Sequence, residues 1–142
     1  MKYHVAVALA CFAASAANVS RADCLDDAAN YHGVDSTLLH AIAKHESGMN
    51  PRAVNHNANG SDDLGLMQIN SSWLPKLERF GVTRTSLFDA CVSAYIGAWI
   101  LASNFDRYGR TWDAVGAYNA TSPDKQIRYA TQIYNVLRGE GR

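Results

Sequence analysis

The chain has 142 residues, of which 48% are hydrophobic and 18% are charged, and its 13 basic residues balance its 13 acidic ones. This length and composition suit one globular domain. The even charge balance, without a cluster of lysine and arginine, argues against a nucleic acid as the partner.

The first 22 residues have the pattern of a secretory signal peptide. Lys2 precedes an apolar run over residues 5–14, and the small residues Ser20 and Ala22 suit cleavage after Ala22. This run is too short for a stable membrane span, and no later segment is apolar enough for one; a retained interfacial anchor is the alternative. We therefore expect residues 23–142, with 11 basic and 13 acidic residues, to form one periplasmic domain.

Two cysteines, Cys24 and Cys91, remain once the signal peptide is removed. An even number of cysteines in an oxidising compartment favours a disulfide, which would tie the start of the mature chain to a central helix. Two free buried thiols are the alternative.

Residues 36–47 predict an amphipathic helix that ends at Gly48. Leu38, Ile42 and Glu46 are four residues apart and share one face, which is apolar until its last member. Burial would raise the pKa of that carboxyl group, as a general acid working near neutral pH requires. The alternative is an ordinary surface glutamate near a helix end.

The other segments predict a mainly helical domain. A short helix covers residues 23–31, and residues 55–63 predict a polar loop or small hairpin. Further helices follow Ser71 and cover residues 89–108 and 112–118. A last helix begins at Ser122-Pro123, and its predicted buried stripe is Ile127, Ala130, Tyr134 and Leu137.

Polar residues elsewhere in the chain could complete a saccharide cleft around Glu46. Gln68 and Asn70 stand among apolar neighbours, where an unpaired buried amide costs about 1–3 kcal/mol. They are either structural amides or groups that bind a sugar. The same two interpretations apply to Tyr118, Asn119 and Tyr134.

The sequence gives no indication of a metal site. His45-Glu46 begins like the zinc-protease motif HExxH, but Met49 stands where the second histidine would be. His56, Asp62 and Asp63 of the polar loop could contact a metal, but this loop lacks the spacing of a calcium loop. We expect neither a metal nor a cofactor.

Four motifs, taken in chain order, resemble those of the lytic transglycosylases. Residues 43–48 (Ala-Lys-His-Glu-Ser-Gly) resemble the Glu-Ser motif, residues 65–70 (Gly-Leu-Met-Gln-Ile-Asn) the Gly-Leu-Met-Gln motif, and residues 117–120 (Ala-Tyr-Asn-Ala) the Ala-Tyr-Asn-Ala motif. Tyr134 falls where the last helix of the family carries a cleft tyrosine. The likeness covers nearly all of residues 23–142, and it is greatest to the small members that accompany type III and type IV secretion and type IV pilus systems.

This resemblance implies a lysozyme-like α-helical fold and cleavage of peptidoglycan between N-acetylmuramic acid and N-acetylglucosamine, with a 1,6-anhydro end as product. It implies that Glu46 alone performs both proton transfers. Seven residues have implied substrate-binding or supporting roles: Ser47, Met67, Gln68, Asn70, Tyr118, Asn119 and Tyr134. The expected partners of this monomer are glycan strands and proteins of a secretion or pilus apparatus.

The sequence departs from the family pattern at two places. Thr121 stands where the family usually has a glycine after Tyr-Asn-Ala, and residues 130–131 replace a Glu-Thr pair of the larger members. Neither place touches Glu46, so we expect activity to persist. Two other functions stay open: a muramidase in which Asp62 or Asp63 holds the attacking water, and a non-catalytic glycan-binding component.

Overall fold

Helices make up most of residues 20–139, the part of the chain that this computed structural model describes. The α-helices are, in chain order, α1 (Arg21–His32), α2 (Ser36–Ser47), α3 (Leu74–Leu77), α4 (Ala90–Tyr108), α5 (Trp112–Gly116) and α6 (Pro123–Leu137). Short 3-10 turns cover Ser71–Trp73, Glu78–Phe80 and Thr85–Phe88. The predicted mainly helical class is confirmed. Within the described range, no helix has both the length and the apolar character that a membrane crossing needs.

Most of the predicted signal peptide, residues 1–19, lies outside the described residues. Its last predicted residues belong to the fold, because α1 begins at Arg21 and the Ser20 side chain caps its first turn. The Arg21 guanidinium also donates to the Met49 carbonyl oxygen at 2.7 Å. Cleavage after Ala22 would remove both contacts, and the position of the cleavage stays a prediction.

The centre of the domain is α4, which packs against α1, α5 and the small sheet. Gly97 of α4 lies against the Met67 side chain, and a Cβ at this glycine would come within 2.7 Å of the Met67 methyl carbon. A disulfide joins Cys24 of α1 to Cys91 in the first turn of α4. The predicted pairing is therefore confirmed, and it fixes the first helix to the central one.

Three short strands, β1 (Val54–His56), β2 (Asp62–Leu64) and β3 (Ile69–Asn70), form an antiparallel sheet in that order. This sheet is the predicted hairpin region. Successive side chains of a strand point to opposite faces, so Asp62 and Asp63 face different surroundings.

The turn between β2 and β3 begins at Gly65, whose φ is +76°. A Cβ there would lie 2.0 Å from the carbonyl oxygen of Leu87. Both the left-handed backbone and this close approach require glycine.

The buried face of α6 differs from the predicted stripe. Tyr129, Ala130 and Ile133 are buried, and α6 packs against α2 and α5. Three members of the predicted stripe are exposed: Ile127 (61%), Tyr134 (43%) and Leu137 (37%). Since Tyr129 and Ile133 are four residues apart, they define the helix face that meets the rest of the domain.

We expect the disulfide to contribute substantially to stability. Its cysteines are separated by 67 residues, so replacing both Cys24 and Cys91 by alanine should lower the free energy of unfolding by about 2–4 kcal/mol. Urea denaturation measures the difference. The native chain in dithiothreitol is the control and should approach the variant, whereas equal stability of the variant and the oxidised chain would contradict the expectation.

Candidate active site

Glu46 lies in the last turn of α2. The side chain of Asp35 caps the start of this helix by accepting from the Leu38 N–H at 2.7 Å, and Gly48 ends it in the left-handed conformation. Leu39, Ala41, Ile42 and Ala43 of α2 are buried. The helix thus carries Glu46 to the edge of the hydrophobic core, where its side chain is partly buried.

One carboxylate oxygen of Glu46 is held by the last helix. The Tyr129 hydroxyl donates a short hydrogen bond to Oε1 of Glu46. The other oxygen, Oε2, has no hydrogen-bond partner among residues 20–139. Every buried side-chain polar atom in that range has a partner, so Oε2 must reach solvent. Glu46 therefore has one oxygen fixed by the protein and one open to a ligand.

Burial raises the pKa of Glu46 from its ordinary value of 4.5 to about 7, against the opposing hydrogen bond from Tyr129 and with help from the negative charge of Asp63. Among residues 20–139, no cation contributes to lowering the pKa of Glu46. The neighbouring His45 contacts Tyr129 edge-on, with ring centroids 5.4 Å apart, and burial lowers the pKa of His45 below its usual 6.5. Near neutral pH the carboxyl group therefore exists in both its protonated and its ionised form.

A second tyrosine supports the first. The rings of Tyr118 and Tyr129 are stacked, with centroids 6.3 Å apart and planes 14° from parallel. The Tyr118 hydroxyl donates to the Met67 carbonyl oxygen at 2.9 Å. Burial, together with the nearby charge of Glu46, raises the pKa of both phenols well above 10. Both hydroxyls thus stay protonated and act as donors.

The segment that follows β2 is fastened to the end of α2. The Ser47 hydroxyl lies 2.7 Å from the Leu66 carbonyl oxygen. The Met67 side chain is fully buried, whereas its backbone carbonyl accepts the hydrogen bond from the Tyr118 hydroxyl. The Gln68 amide nitrogen donates to the Ala53 and Gly65 carbonyls. Its amide oxygen, Oε1, makes no hydrogen bond with any residue that the structure describes.

The two neighbouring aspartates of β2 have different partners. Asp62 is paired with the cationic Arg84 side chain at 2.7 Å and with the His56 ring at 2.6 Å. Asp63 instead accepts from the neutral amides of Asn70 (2.8 Å) and Asn57 (3.0 Å). Within the described part of the chain, Asp63 has no cationic partner, and its charge acts on Glu46 and Tyr118.

Three of the predicted site residues, Asn70, Asn119 and Tyr134, are exposed or have partners other than Glu46. Each polar side-chain atom of Asn70 is used within the hairpin region, because its oxygen caps Ser72 N–H and its nitrogen bonds Asp63. Asn119 is exposed and its side chain makes no hydrogen bond within residues 20–139. Tyr134 is exposed and lies edge-on to Trp112, with ring centroids 5.6 Å apart.

The resemblance places the cleft tyrosine of the last helix at Tyr134, whereas the tyrosine of α6 that contacts Glu46 in the structure is Tyr129. A signal for this was present in the sequence: Tyr129, Ile133 and Val136 follow helical spacing as well as the predicted stripe does. Both stripes are apolar, and periodicity alone does not choose between them. The sequence also left Asp62 and Asp63 equivalent, whereas their partners in the structure separate them.

The loop at Thr121, where the chain departs from the family pattern, is held by α6. The Gln126 side-chain nitrogen donates to the carbonyl oxygen of Ala120 at 2.9 Å and lies 3.4 Å from that of Thr121. A Cβ on Gly116 would come within 2.5 Å of the Gln126 backbone, so α5 and α6 meet closely here. These contacts attach the loop that contains Thr121 to α6.

The arrangement suits proton transfer rather than metal chemistry. Residues 20–139 contain no group of three or more histidine, cysteine or acidic side chains that could hold a metal ion. A partly buried carboxyl group with a pKa near 7 can give a proton to a ligand and take one back.

Comparison with known proteins agrees with this geometry. A family model described as "Transglycosylase SLT domain" matches residues 23–134. Invasion protein IagB of Salmonella typhimurium is 46% identical over 126 residues, which cover 85% of this chain and 79% of that protein. Protein IpgF of Shigella flexneri is 45% identical over 122 residues (82% and 80%), and X polypeptide of Escherichia coli is 36% identical over 124 residues (82% and 73%).

A solved structure shows the same fold. It is an inactive glutamate-to-glutamine mutant of the lytic transglycosylase Slt from Pseudomonas aeruginosa, with a TM-score of 0.64 and 18% identity. The match covers 83% of this chain, which spans about a quarter (24%) of that longer one. The predicted lysozyme-like helical fold is thereby confirmed.

The raised pKa of Glu46 predicts a pH-dependent cost in stability. Below pH 4.5 the group is protonated in both the folded and the unfolded chain; between 4.5 and about 7 only the unfolded chain loses the proton. Stability should therefore fall as pH rises through this window, by about 3 kcal/mol at most. Relative to the native chain, Glu46→Gln should gain stability between pH 4 and pH 8 in urea denaturation. An unchanged difference between the two chains would show that the group titrates normally.

The contacts of Glu46 predict opposite pKa changes for two substitutions. Asp63→Asn removes a neighbouring negative charge and should lower the pKa of Glu46, whereas Tyr129→Phe removes a hydrogen bond and should raise it. NMR titration of the Glu46 side-chain carboxyl carbon measures both. Asp62→Asn is the matched control, because the partners of Asp62 are Arg84 and His56. This substitution should leave the pKa of Glu46 unchanged. Shifts of the same sign in the Asp63 and Tyr129 variants would contradict the assigned contacts.

Proposed function

We propose a specific reaction for this chain, which belongs to the transglycosylase SLT family. It is a lytic transglycosylase that cleaves the β-1,4 bond between N-acetylmuramic acid and N-acetylglucosamine in peptidoglycan. The observation that carries the proposal is the carboxyl group of Glu46, with a pKa of about 7, one oxygen held by Tyr129 and the other open. Such a group can serve as acid and then as base near neutral pH.

In the proposed reaction, protonated Glu46 gives its proton to the glycosidic oxygen as the bond from that oxygen to the muramoyl C1 breaks. The electron pair leaves with the oxygen, and the 2-acetamido oxygen of the substrate stabilises the cationic C1. The Glu46 carboxylate then takes the proton of the 6-hydroxyl while that oxygen bonds to C1. The product has a 1,6-anhydro end, Glu46 is protonated again, and no water is consumed.

The surrounding contacts support these two steps. Tyr129 holds Oε1 of Glu46, which leaves Oε2 as the oxygen that exchanges the proton. The uncompensated charge of Asp63 acts at the same place and favours a cationic centre there. For substrate contacts we propose the free oxygen of Gln68 and the exposed amide of Asn119. Ser47 supports the site by fastening Leu66 to α2.

We propose roles for three other residues on the basis of their places in the fold. For Tyr129 we propose the part that was predicted for Tyr134, because Tyr129 donates to Glu46 whereas Tyr134 lies against Trp112. Asn70 acts through Asp63, to which it donates. Met67 acts through its backbone carbonyl, since its side chain is fully buried.

We further propose that the enzyme opens the cell wall locally for a secretion machine. Two relatives that are 45–46% identical are named Invasion protein IagB and Protein IpgF, and the first name connects that protein with invasion. The pattern of residues 1–22 supports export to the periplasm, where the wall is accessible.

A muramidase is the second candidate, and Asp63 is the observation that favours it. This residue is a second carboxylate whose charge is felt at Glu46. A carboxylate opposite the acid can hold an attacking water, as in inverting glycosidases. The two candidates differ in the atom that attacks C1, so their products differ by one water.

Peptidoglycan digestion tests the proposal. The native chain should release muropeptides with anhydro ends, and Glu46→Gln should lower the rate at least about 100-fold, because it removes the acid and base. Mass spectrometry of the digest measures both the rate and the product. Glu78→Gln is the matched control, since Glu78 is an exposed glutamate in the turn after α3.

Each of the other outcomes has a distinct meaning. Products with reducing ends, which contain one added water, would show that the chain is a muramidase and not a lytic transglycosylase. Full activity in Glu46→Gln would show that another group is the acid. No activity in the folded native chain would leave glycan binding as the function of the cleft.

A further inference from the structure

A surface beside α5, away from the contact between Tyr129 and Glu46, has features that the catalytic site does not use. Two cavities of about 250 and 260 Å³ open beside α5, and Trp112 lines both of them. Asp35, the N-cap of α2, lines the first cavity, whereas Glu46 stands at the other end of that helix. With a rise of 1.5 Å per residue, the two positions are roughly 16 Å apart along the axis.

The second cavity faces away from the catalytic contact on α6. It is lined by Ile127, Thr131 and Tyr134, whereas Tyr129 reaches Glu46. Tyr129 and Tyr134 are five residues apart, or about 140° around the helix axis. The cavity is therefore separate from the cleft at Glu46.

Trp112 is an exposed ring that its neighbours hold in place. It is 44% exposed, and Tyr134 supports it edge-on at 85° between the ring planes. Thr111 caps α5 by accepting from the Ala114 N–H at 3.3 Å, which fixes the backbone that carries the indole. A rigid exposed aromatic ring between two cavities provides a flat apolar face at low entropic cost.

Polar groups surround this ring. Trp112 and Asp113 both line the second cavity, and neither the indole N–H nor the Asp113 carboxylate makes a hydrogen bond within residues 20–139. In the first cavity, the Arg110 guanidinium is held over the Phe105 ring at 5.4 Å and donates to the Gly33 carbonyl at 2.9 Å.

We propose that Trp112 and the two cavities beside it form a second glycan-binding site, which holds N-acetylhexosamine units of a strand away from the catalytic cleft. This inference rests on the proposed function, in which the substrate is a long glycan. A pyranose ring has an apolar C–H face and a rim of hydroxyls, so it requires an aromatic plane with hydrogen-bonding groups around it. Two cavities that share one indole match a polymer of repeating sugars.

The lining also favours a glycan over a protein helix as the occupant. An amphipathic helix fills a continuous apolar groove. Here each cavity carries charged groups, Asp35 and Arg110 in one and Asp113 in the other. A sugar polymer uses such groups for its hydroxyl and acetamido substituents, and these few polar contacts fix its orientation.

The test measures binding in Glu46→Gln, so that the probe is not cleaved. Sedimentation with purified insoluble peptidoglycan gives an apparent Kd, and adding Trp112→Ala should raise it about tenfold, the effect expected for truncating one aromatic anchor. Trp112→Phe should retain most of the affinity. Phe80→Ala is the matched control, because this aromatic ring is 77% exposed and lines neither cavity.

A second variant and a direct probe protect the test against misfolding. Ile127→Glu places a charge in the second cavity at a residue that is 61% exposed, and it should weaken binding without disturbing the core. In NMR, tetra-N-acetylchitotetraose should shift the indole N–H signal of Trp112, which is assigned from Trp112→Phe.

The inference is overturned if folded Trp112→Ala binds peptidoglycan within twofold of its parent. It is also overturned if the indole signal does not move with the sugar and moves only with a protein of the secretion apparatus. These results are distinguishable from failure of the proposed function. If the native chain releases no anhydro product but Trp112→Ala weakens peptidoglycan binding, the second site stands and the proposed function fails. If the native chain releases anhydro product but Trp112→Ala leaves binding unchanged, the proposed function stands and the second site fails.

Discussion

The hydrogen bond from Tyr129 to Glu46 is the contact on which the site depends. It joins the last turn of α2 to the buried face of α6 across 83 residues of sequence. A carboxyl group at the edge of the core loses solvation, and a donor from the protein replaces part of what water supplied. This bond fixes one oxygen and leaves the other free. The orientation of the proposed acid thus follows from the way α6 packs against α2.

Two more hydrogen bonds bring the remaining segment to the same place. The Ser47 hydroxyl donates to the Leu66 carbonyl and the Tyr118 hydroxyl donates to the Met67 carbonyl, so two successive carbonyls are held by different parts of the chain. Each bond is worth only about 1 kcal/mol. Their importance is geometric, because they connect α2, the turn after β2 and the end of α5 into one unit. Gly65 makes that turn possible, since no other residue fits beneath the Leu87 carbonyl.

The sequence was sufficient to predict the features that depend on residue spacing and on residue counts. The helix that carries Glu46 follows from its caps and spacing, and the pairing of Cys24 with Cys91 follows from the count of cysteines once the predicted signal peptide is set aside. The face of α6 could not be predicted, because Tyr129 and Tyr134 belong to two apolar stripes on one helix. Only packing against α2 decides which stripe is buried. The difference between Asp62 and Asp63 likewise depends on Arg84, which is 22 residues further along the chain.

Opposing influences explain why Glu46 can carry both proposed proton transfers. Burial raises its pKa, the Tyr129 hydrogen bond lowers it, and the charge of Asp63 raises it again. Burial alone would favour an acid that keeps its proton, and a strong hydrogen bond alone would favour a permanent carboxylate. With the pKa of Glu46 near 7, both the protonated and the ionised form are accessible near neutral pH, so one group can alternate between them. A second carboxylate is then unnecessary for proton transfer, and Asp63 is free to act through its charge. The choice between anhydro and hydrolysed products therefore depends on whether the substrate's 6-hydroxyl or a water reaches C1 first.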